Sequence, residues 1–371
     1  YQPYNMKRIL LPILLLLSQT LFAQVLQPGF DKSEYIETLK INHRAHVALN
    51  EWQGIKDIGE PQQFGFQYRS PEVAFDNIWD LWIHRGQPVA VIAVRGSIQT
   101  QASYLANLYA AMIPAQGTLE LEKDFTFTYK LAREPRAAVQ VGWFVAMAYL
   151  SRTILHKIDS CYQSGIKDFI LTGHSQGGGI TYMLTAYLRN LQLDGQLPAD
   201  IRFKTYCSAG PKPGNLFFAY DYEKLTEGGW AYNVVNTADW VPDVPFSVQT
   251  VNDFTAVNPF YHAKGMIKKQ KFPVNIALKR SYRQLSRPSL KAQRNYEKYL
   301  GKMVSKSVRK QLPQFNTPDY YKSNYYVRTG TIIVLYADEA YFKIYSNDPS
   351  NPDIWQHHLP AQYLYLVEKL P

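Results

Sequence analysis

Cysteine is scarce in this sequence, and its scarcity argues against two classes of protein. The 371 residues include only two cysteines, Cys161 and Cys207. Two cysteines do not make the disulfide framework of a small secreted domain, and their spacing is not that of zinc ligands. We therefore expect two buried free thiols and no metal site; a bridge between the two cysteines, which an oxidising compartment would permit, is the alternative. The 46% hydrophobic content also argues against a disordered or collagen-like chain.

The apolar run near the N-terminus is short. It covers residues 9–17, follows Met6 and a Lys-Arg pair, and leads to the small residue Ala23. A membrane-spanning helix needs about twenty apolar residues, so a retained anchor is the less favoured alternative. A basic start, a short apolar stretch and a small final residue indicate a secretory signal peptide. We expect residues 1–23 to comprise an untranslated leader before Met6 and a signal peptide cleaved near Ala23, and residues 24–371 to be exported to the periplasm or beyond.

Acidic residues are almost absent from one long stretch. Residues 264–312 contain fifteen Lys or Arg residues and a single acid, Glu297, although the whole chain has a net charge of only +10. Such a stretch favours an anionic partner, and we expect transient contact with an anionic membrane surface. An acidic glycan or a merely solvated face is the alternative. Nucleic acid is the weakest alternative, and we expect no such partner, because export argues against it.

Strands alternate with helices along the chain. Val89–Val94 is an uninterrupted aliphatic run, as expected for a strand buried on both faces. Further strands are predicted at 168–172, 203–207, 231–236, 325–336 and 340–345, and helices at 31–58, 103–113, 140–163 and 177–191. This alternation indicates a mostly parallel sheet covered on both faces. We expect a single α/β domain with a basic helical insertion at about 263–314, broken by Pro273, Pro288 and Pro313.

The pattern G-x-S-x-G occurs at residues 173–177, with Ser175 at its centre. It directly follows a predicted strand and directly precedes a predicted helix. A sharp strand-to-helix turn forces the serine into strained backbone angles, and glycines two residues to either side leave the room it needs. The hydroxyl then projects over the positive end of a helix. This context predicts Ser175 as a catalytic nucleophile; the alternative is a glycine-rich turn with an incidental serine.

A serine nucleophile needs two backbone N–H groups to stabilise the developing oxyanion. One should come from Gln176, the residue after the nucleophile. The other is expected from Ser97, in the Arg95-Gly96-Ser97 turn that ends the strand Val89–Val94. The Ser97 hydroxyl would fix that loop, and an ordinary turn at the end of a strand is the alternative.

An orienting acid and a base should follow the serine in that order. Asp239 comes just after the predicted strand 231–236, where such an acid belongs, and Asp243 and Asp221 are its competitors. For the base, the pair His357-His358 lies near the C-terminus, and His262 remains an alternative. The other histidines are set aside because they precede the serine, lie inside a predicted helix or belong to the G-x-S-x-G turn itself; they are His43, His46, His84, His156 and His174.

With these residues in place, the chain resembles the class 3 (fungal-lipase-like) lipase family of α/β-hydrolases, over roughly residues 64–366. The matching stretches are Ala93-Val-Arg-Gly-Ser97, Leu171-Thr-Gly-His-Ser-Gln-Gly-Gly178, Ala209-Gly-Pro-Lys-Pro-Gly-Asn215, Asp239-Trp-Val-Pro-Asp-Val-Pro245, Tyr326-Val-Arg-Thr-Gly330 and His358-Leu-Pro-Ala-Gln-Tyr-Leu364. The Tyr-Leu that follows the late histidine favours His358 over His357.

This resemblance implies a site made of Ser175 as nucleophile, Asp239 as orienter, His358 as base, and Ser97 with Gln176 as oxyanion donors. Two features depart from the family. Gln176 stands where the family usually has Leu, which predicts a more polar mouth to the acyl pocket. The basic insertion is unlike the compact fungal enzymes, and it leaves the substrate open.

The sequence therefore predicts a serine hydrolase that cleaves the carboxylic esters of lipids, like a triacylglycerol lipase, through an acyl-enzyme and with no metal or cofactor. A phospholipase or a short-chain carboxylesterase would share every catalytic residue. A serine peptidase or amidase, or a non-catalytic protein that binds anionic surfaces, is less favoured. An apolar stripe on the predicted helix 103–113 suits a lid, with a packed core helix as the alternative; its members are Tyr104, Leu105, Leu108, Tyr109, Met112 and Ile113.

Overall fold

The architecture is set by a central sheet of strongly apolar strands. A computed structural model describes residues 25–47, 56–346, 349–350 and 353–371, so the predicted signal peptide lies outside the described residues. Within these ranges, no helix combines the length and the apolar character that a bilayer crossing requires.

Seven strands form the central sheet, in the order β1-β2-β3-β8-β9-β11-β13. The five strands from β3 to β13 are parallel, whereas β1 and β2 form an antiparallel edge. These seven are β1 (Phe64–Arg69), β2 (Trp79–His84), β3 (Val89–Val94), β8 (Asp168–His174), β9 (Arg202–Ser208), β11 (Ala231–Asn236) and β13 (Thr331–Leu335).

Two smaller sheets complete the strands. One has the order β12-β10-β7-β4 and the other is the hairpin β5-β6. Their strands are β4 (Met112–Pro114), β5 (Gln116–Glu122), β6 (Phe125–Lys130), β7 (Ala138–Gln140), β10 (Gly214–Asn215) and β12 (Tyr326–Val327).

Helices cover both faces of the central sheet. They are α1 (Lys32–Val47), α2 (Gln101–Leu108), α3 (Val141–Gln163), α4 (Gln176–Leu193), α5 (Leu216–Leu225), α6 (Ala263–Lys268), α7 (Val274–Glu297), a π-helical turn (Lys298–Met303), α8 (Val304–Gln311), α9 (Glu339–Ile344) and α10 (Pro360–Glu368). Short 3₁₀ turns lie at Ala74–Asp76 and Val241–Asp243.

Alternate residues of the strands enter two separate cores. In β3, Ala90 and Ile92 pack with α3 and α4, whereas Val89 and Val91 pack with α1 and α10. Successive side chains of a strand point to opposite faces, so a wholly apolar strand requires cover on both faces. The prediction of a mostly parallel sheet with helices on both faces is therefore confirmed.

The element boundaries agree closely with prediction through the middle of the chain. The helices at 140–163 and 177–191 and the strands at 168–172, 203–207 and 231–236 are found within about two residues of their expected ends. The predicted helix 31–58 is observed as α1, and its continuation over 48–55 lies outside the described residues. The predicted basic helical segment is present as α6, α7 and α8.

Several expectations about local structure were wrong. Residues 340–345 are not a strand but belong to helix α9, because the Asp338 side chain accepts a hydrogen bond from the Tyr341 N–H at 2.7 Å and caps the helix start. Pro288 does not break the basic segment, since it lies inside α7. The predicted strand 325–336 is split between β12 and β13, which belong to different sheets.

The predicted helix 103–113 is shorter than expected. Helix α2 ends at Leu108, and Met112 and Ile113 instead form β4. Tyr109, Met112 and Ile113 are buried in the interior, whereas Tyr104 and Leu108 remain exposed. The apolar stripe predicted as a lid face is therefore divided between the core and the surface.

Candidate active site

Ser175 lies in the turn between β8 and α4, in a backbone conformation that serine seldom adopts. Its φ is 60° and its ψ is −130°. Such angles store about 1–3 kcal/mol and persist only where the surroundings enforce them. A serine on a strained turn between a parallel strand and a helix, at the carboxyl end of the strand, has the geometry expected of the nucleophile elbow in α/β-hydrolases.

The glycines on either side of Ser175 are required by close backbone packing. A Cβ atom at Gly173 would lie 2.3 Å from the carbonyl carbon of Gly177. A Cβ atom at Gly177 would lie 2.2 Å from the carbonyl oxygen of Val94, at the end of β3. Real Cβ atoms do not approach backbone atoms this closely, so the turn needs glycine at both positions. This is the steric requirement that the G-x-S-x-G pattern predicted.

Asp239 and His358 are hydrogen-bonded to each other although 119 residues separate them. His358 Nδ1 lies 2.8 Å from Asp239 Oδ2, and both side chains are buried. The hydroxyl of Tyr363 donates to the same carboxylate oxygen at 2.7 Å, and the Val241 N–H donates to Oδ1 at 3.0 Å. Because a carboxylate only accepts, Nδ1 carries the proton and Nε2 is left as the acceptor, as a general base requires.

Ser175, His358 and Ser97 line one cleft. The cleft lies at the carboxyl ends of β3 and β8, since Ser97 follows β3 and Ser175 follows β8. The complete lining is His43, His46, Ser97, Tyr104, His174, Ser175, Trp355, His358, Leu359 and Pro360. The fold thus brings the predicted nucleophile, base and oxyanion loop together, with aromatic and aliphatic side chains around them.

The other candidates for the acid and the base lie outside this arrangement. Asp243 is exposed and pairs with Arg328, and Asp221 accepts hydrogen bonds from the N–H groups of Arg133 and Glu134. His357 meets the Tyr341 hydroxyl at 3.0 Å rather than a carboxylate. The remaining alternative, His262, is an exposed residue.

A polar network joins the two expected oxyanion positions. The Ser97 hydroxyl donates to Gln176 Oε1 at 3.0 Å and accepts from Asn107 Nδ2 at 3.0 Å. Gln176 Nε2 in turn donates to Asn77 Oδ1 at 3.1 Å, and Trp143 Nε1 donates to Asn107 Oδ1 at 2.8 Å. The Gln176 side chain is buried in this network instead of lining the cleft mouth, because its amide satisfies two polar partners there.

His174, the residue before Ser175, connects the strand-to-helix turn to His358. Its Nε2–H donates to the backbone carbonyl of His358 at 2.7 Å, so its Nδ1 accepts from the Ser208 hydroxyl at 3.0 Å. The Tyr35 hydroxyl lies 2.7 Å from the Ser208 hydroxyl and completes the chain. Burial holds the pKa of His174 well below its ordinary value, so the ring stays neutral and keeps this arrangement.

Sequence reasoning did not assign a place in the site to His43 and His46. Both lie in the last turns of α1 and line the cleft. Burial lowers the pKa of His43 to about 4, although the Asp57 carboxylate opposes this effect. Because His43 and His46 precede Ser175 in the sequence, they were set aside as candidates for the base. No local pattern indicated that the end of α1 lies beside the turn that carries Ser175. Among the described residues, no group of three or more His, Cys, Asp or Glu side chains is placed to hold a metal ion.

Comparisons with known proteins agree with the sequence resemblance. Residues 91–249 match the family model described as lipase (class 3), a range that includes Ser97, Ser175, Gln176 and Asp239 but not His358. A search of curated protein sequences found no significant match.

Several solved lipase structures are similar to the chain at low identity. A fungal lipase–inhibitor complex is 19% identical, covers 57% of this chain and 73% of its own, and has a TM-score of 0.43. The Lip2 lipase of Yarrowia lipolytica is 19% identical over 60% of this chain and 78% of its own, with a TM-score of 0.42. A triacylglycerol lipase from Penicillium expansum is 16% identical over 58% of this chain and 75% of its own, with a TM-score of 0.42.

Proposed function

Since residues 91–249 match the class 3 lipase family model, we propose that the chain hydrolyses the carboxylic ester bonds of lipids with Ser175 as its nucleophile. The observation that carries this proposal is the cleft in which the strained Ser175 and the Asp239-bonded His358 lie together. The aromatic and aliphatic lining of the cleft supports an apolar acyl chain as the group it receives.

The proposed reaction begins with proton transfer. His358 Nε2 takes the Ser175 hydroxyl proton while Oγ attacks the ester carbonyl carbon, and the charge on the resulting imidazolium is stabilised by Asp239. The negative charge on the carbonyl oxygen is held by the backbone N–H groups of Ser97 and Gln176. The alcohol then leaves with the proton from His358, which gives the acyl-enzyme. Water repeats the same steps, releases the carboxylic acid and restores Ser175.

The mature protein is proposed to act outside the cytoplasm. The signal-peptide pattern of residues 1–23 supports export, with residues 24–371 forming one catalytic domain. Expression of the full chain with mass spectrometry of the exported product tests this directly. A mature N-terminus near Gln24 is expected, and a product that retains residues 9–17 would contradict the cleavage.

The first test of function is hydrolysis of p-nitrophenyl esters, from short to long acyl chains. We expect the wild type to be active on long chains and Ser175→Ala to lose at least about 10⁴-fold in kcat, because no other group takes the place of the nucleophile. Ser160→Ala, an exposed serine on α3, is the matched control and should keep full activity.

A fluorophosphonate probe tests the nucleophile without assuming an acyl chain. Ser175 Oγ displaces fluoride and retains the phosphonyl group, so the mass increase should map to the peptide that contains Ser175 and be absent from Ser175→Ala. Activity confined to short chains would make the protein an esterase, and preference for phospholipid a phospholipase. Equal rates for wild type and Ser175→Ala, or no activity on any ester, would overturn the proposal.

A further inference from the structure

Helix α7 has an apolar face that is open to solvent. Val274, Leu278 and Leu285 are spaced by four and seven residues, which places them on one side of the helix. Their exposed fractions are 50%, 43% and 79%. A surface helix of a soluble protein normally turns such a face toward the core. This face is therefore exposed to water at a free-energy cost that a suitable partner would remove.

The opposite side of α7 is basic. At about 100° per residue, six cations fall on the side away from Val274, Leu278 and Leu285. They are Lys279, Arg280, Arg283, Arg287, Lys291 and Arg294. Glu297, the single acid of residues 264–312, is paired with Lys302 at 3.0 Å. Within the described ranges, none of the six cations forms an ion pair, so their charge is available to a partner.

The chain that leads into α7 repeats this combination. Tyr261, Met266 and Phe272 have exposed fractions of 71%, 57% and 78%. Lys268, Lys269 and Lys271 lie between them and are also exposed. Large apolar side chains and cations thus continue over residues 261–287, which we call the basic amphipathic segment.

We propose that the basic amphipathic segment docks on the surface of an anionic lipid bilayer, with the apolar face of α7 in the acyl boundary and its cations at the level of the lipid phosphates. A helix with Lys and Arg on one face and Leu on the other is suited to lie in this interface. Anionic headgroups attract the cations, and the acyl boundary accepts the leucines. A second copy of the chain fits less well, because it would bring two strongly basic segments together. A polyanion without an acyl phase would leave the apolar face in water.

This inference does not depend on ester hydrolysis, and the test removes hydrolysis from the readout. Full-length protein carrying Ser175→Ala is sedimented with vesicles of phosphatidylcholine, with or without phosphatidylglycerol. We expect binding to the anionic vesicles that weakens with added salt, and little binding to phosphatidylcholine alone.

Two variants separate the two faces. Leu278→Gln/Leu285→Gln and Lys268→Gln/Lys269→Gln/Lys271→Gln should each weaken binding by about tenfold or more. Leu193→Gln, at the partly exposed end of α4, and Lys123→Gln, in the exposed turn of the β5-β6 hairpin, are the matched controls and should bind like the parent protein. Unchanged circular dichroism and melting temperature would establish that the variants are folded.

Three outcomes would overturn the proposal. One is unchanged vesicle binding by the double leucine variant. The second is binding of dextran sulfate as tight as binding of anionic vesicles and equally insensitive to the leucines, which would identify a polyanion site. The third is a dimer in sedimentation velocity that the leucine variant dissociates, which would assign the apolar face to self-association.

Discussion

At the scale of single residues, the geometry of Ser175 depends on contacts that leave its backbone no alternative. The neighbouring glycines admit the close approach of β3 and α4, and the Ser175 N–H donates to the Ser208 carbonyl at 3.0 Å. The strained φ of 60° is thus maintained by packing around the turn. Function and stability should therefore be opposed at this position.

Comparison of two inactive variants measures that opposition. Ser175→Ala keeps a Cβ atom and the strain, whereas Ser175→Gly relieves about 1–3 kcal/mol of strain and loses about 0.5–1 kcal/mol through its greater freedom in the unfolded chain. We expect Ser175→Gly to be about 1 kcal/mol more stable than Ser175→Ala in urea denaturation, with no ester hydrolysis by either. Equal stability, or a more stable alanine variant, would show that the turn stores no such strain.

The side chain of Gln176 allows a second prediction at this scale. Gln176→Leu installs the residue that class 3 lipases usually have, but it leaves Ser97 and Asn77 without their amide partner in a buried network. The loop that carries the Ser97 N–H should then be less well fixed. We expect kcat for a soluble short-chain ester to fall about tenfold with KM nearly unchanged, because oxyanion contacts act in the transition state.

A double-mutant cycle with Ser97→Ala provides the control. The backbone N–H remains in that variant and only the hydroxyl is lost, so its effect should act through the same network. The two losses should be clearly less than additive in the free energy of activation. Additive losses would show that Gln176 and the Ser97 hydroxyl act independently.

At the scale of elements, two loops must keep Asp239 and His358 in register. Asn236, the last residue of β11, donates from Nδ2 to the His357 carbonyl at 2.9 Å and to the Tyr341 hydroxyl at 3.1 Å. Trp240 Nε1 donates to the Ile354 carbonyl at 2.7 Å. The end of β11 and the loop after it, which carries Asp239, are therefore bonded to the loop before α10, which carries His358. These two bonds lie beside the Asp239–His358 pair.

Removal of one of these bonds should loosen the base. Asn236→Ala leaves the His357 carbonyl and the Tyr341 hydroxyl without their shared partner, at about 1–3 kcal/mol of unfolding free energy. We expect kcat to fall about tenfold because His358 is less well oriented. Chemical denaturation and ester kinetics measure the two effects. Asn252→Ala, at an exposed asparagine, should change neither, and full activity of Asn236→Ala would contradict a positioning role for this bond.

The limits of sequence reasoning also appear at this scale. The strands β3, β8 and β11 are continuous buried runs. The residues that follow them, Ser97, Ser175 and Asp239, could be proposed as site residues from local pattern alone. The polar network that joins the two proposed oxyanion positions could not be predicted, since Asn77 and Gln176 are 99 residues apart and no local periodicity joins them. Residues 340–345 were predicted as a strand because their aromatic residues have a high β propensity. The segment is a helix because the Asp338 side chain caps its start, and this effect outweighs the β propensity.

At the scale of the whole molecule, the strongly basic stretch is separated from the proposed catalytic cleft. The strongly basic stretch 264–312 is more positive than the chain's net charge of +10, so the remainder of the molecule is slightly acidic. The cleft draws its lining from other parts of the chain. Substitutions in the basic stretch should therefore change vesicle binding without changing the hydrolysis of soluble esters. Substitutions in the cleft should do the reverse.

Buried histidines give the molecule a predictable response to acid. Burial depresses the pKa of His174, and it lowers that of His43 to about 4. The unfolded chain, with histidine pKa values near 6.5, takes up protons first as the pH falls. The contribution of these neutral, buried histidines to the free energy of unfolding is therefore complete above about pH 6.5. It is lost progressively as the pH falls toward 4.

Calorimetry at constant ionic strength tests this response with His43→Gln as the comparison. Carboxylates titrate over the same pH range in both proteins. The difference between the melting temperatures of the two proteins therefore reports the contribution of His43. Between pH 7.5 and 5, the wild-type melting temperature should fall about 2 °C further than that of His43→Gln. Parallel curves would mean that His43 is protonated in the folded protein as readily as in the unfolded one. The end of α1 would then have to be open to water beside the cleft, rather than packed against it.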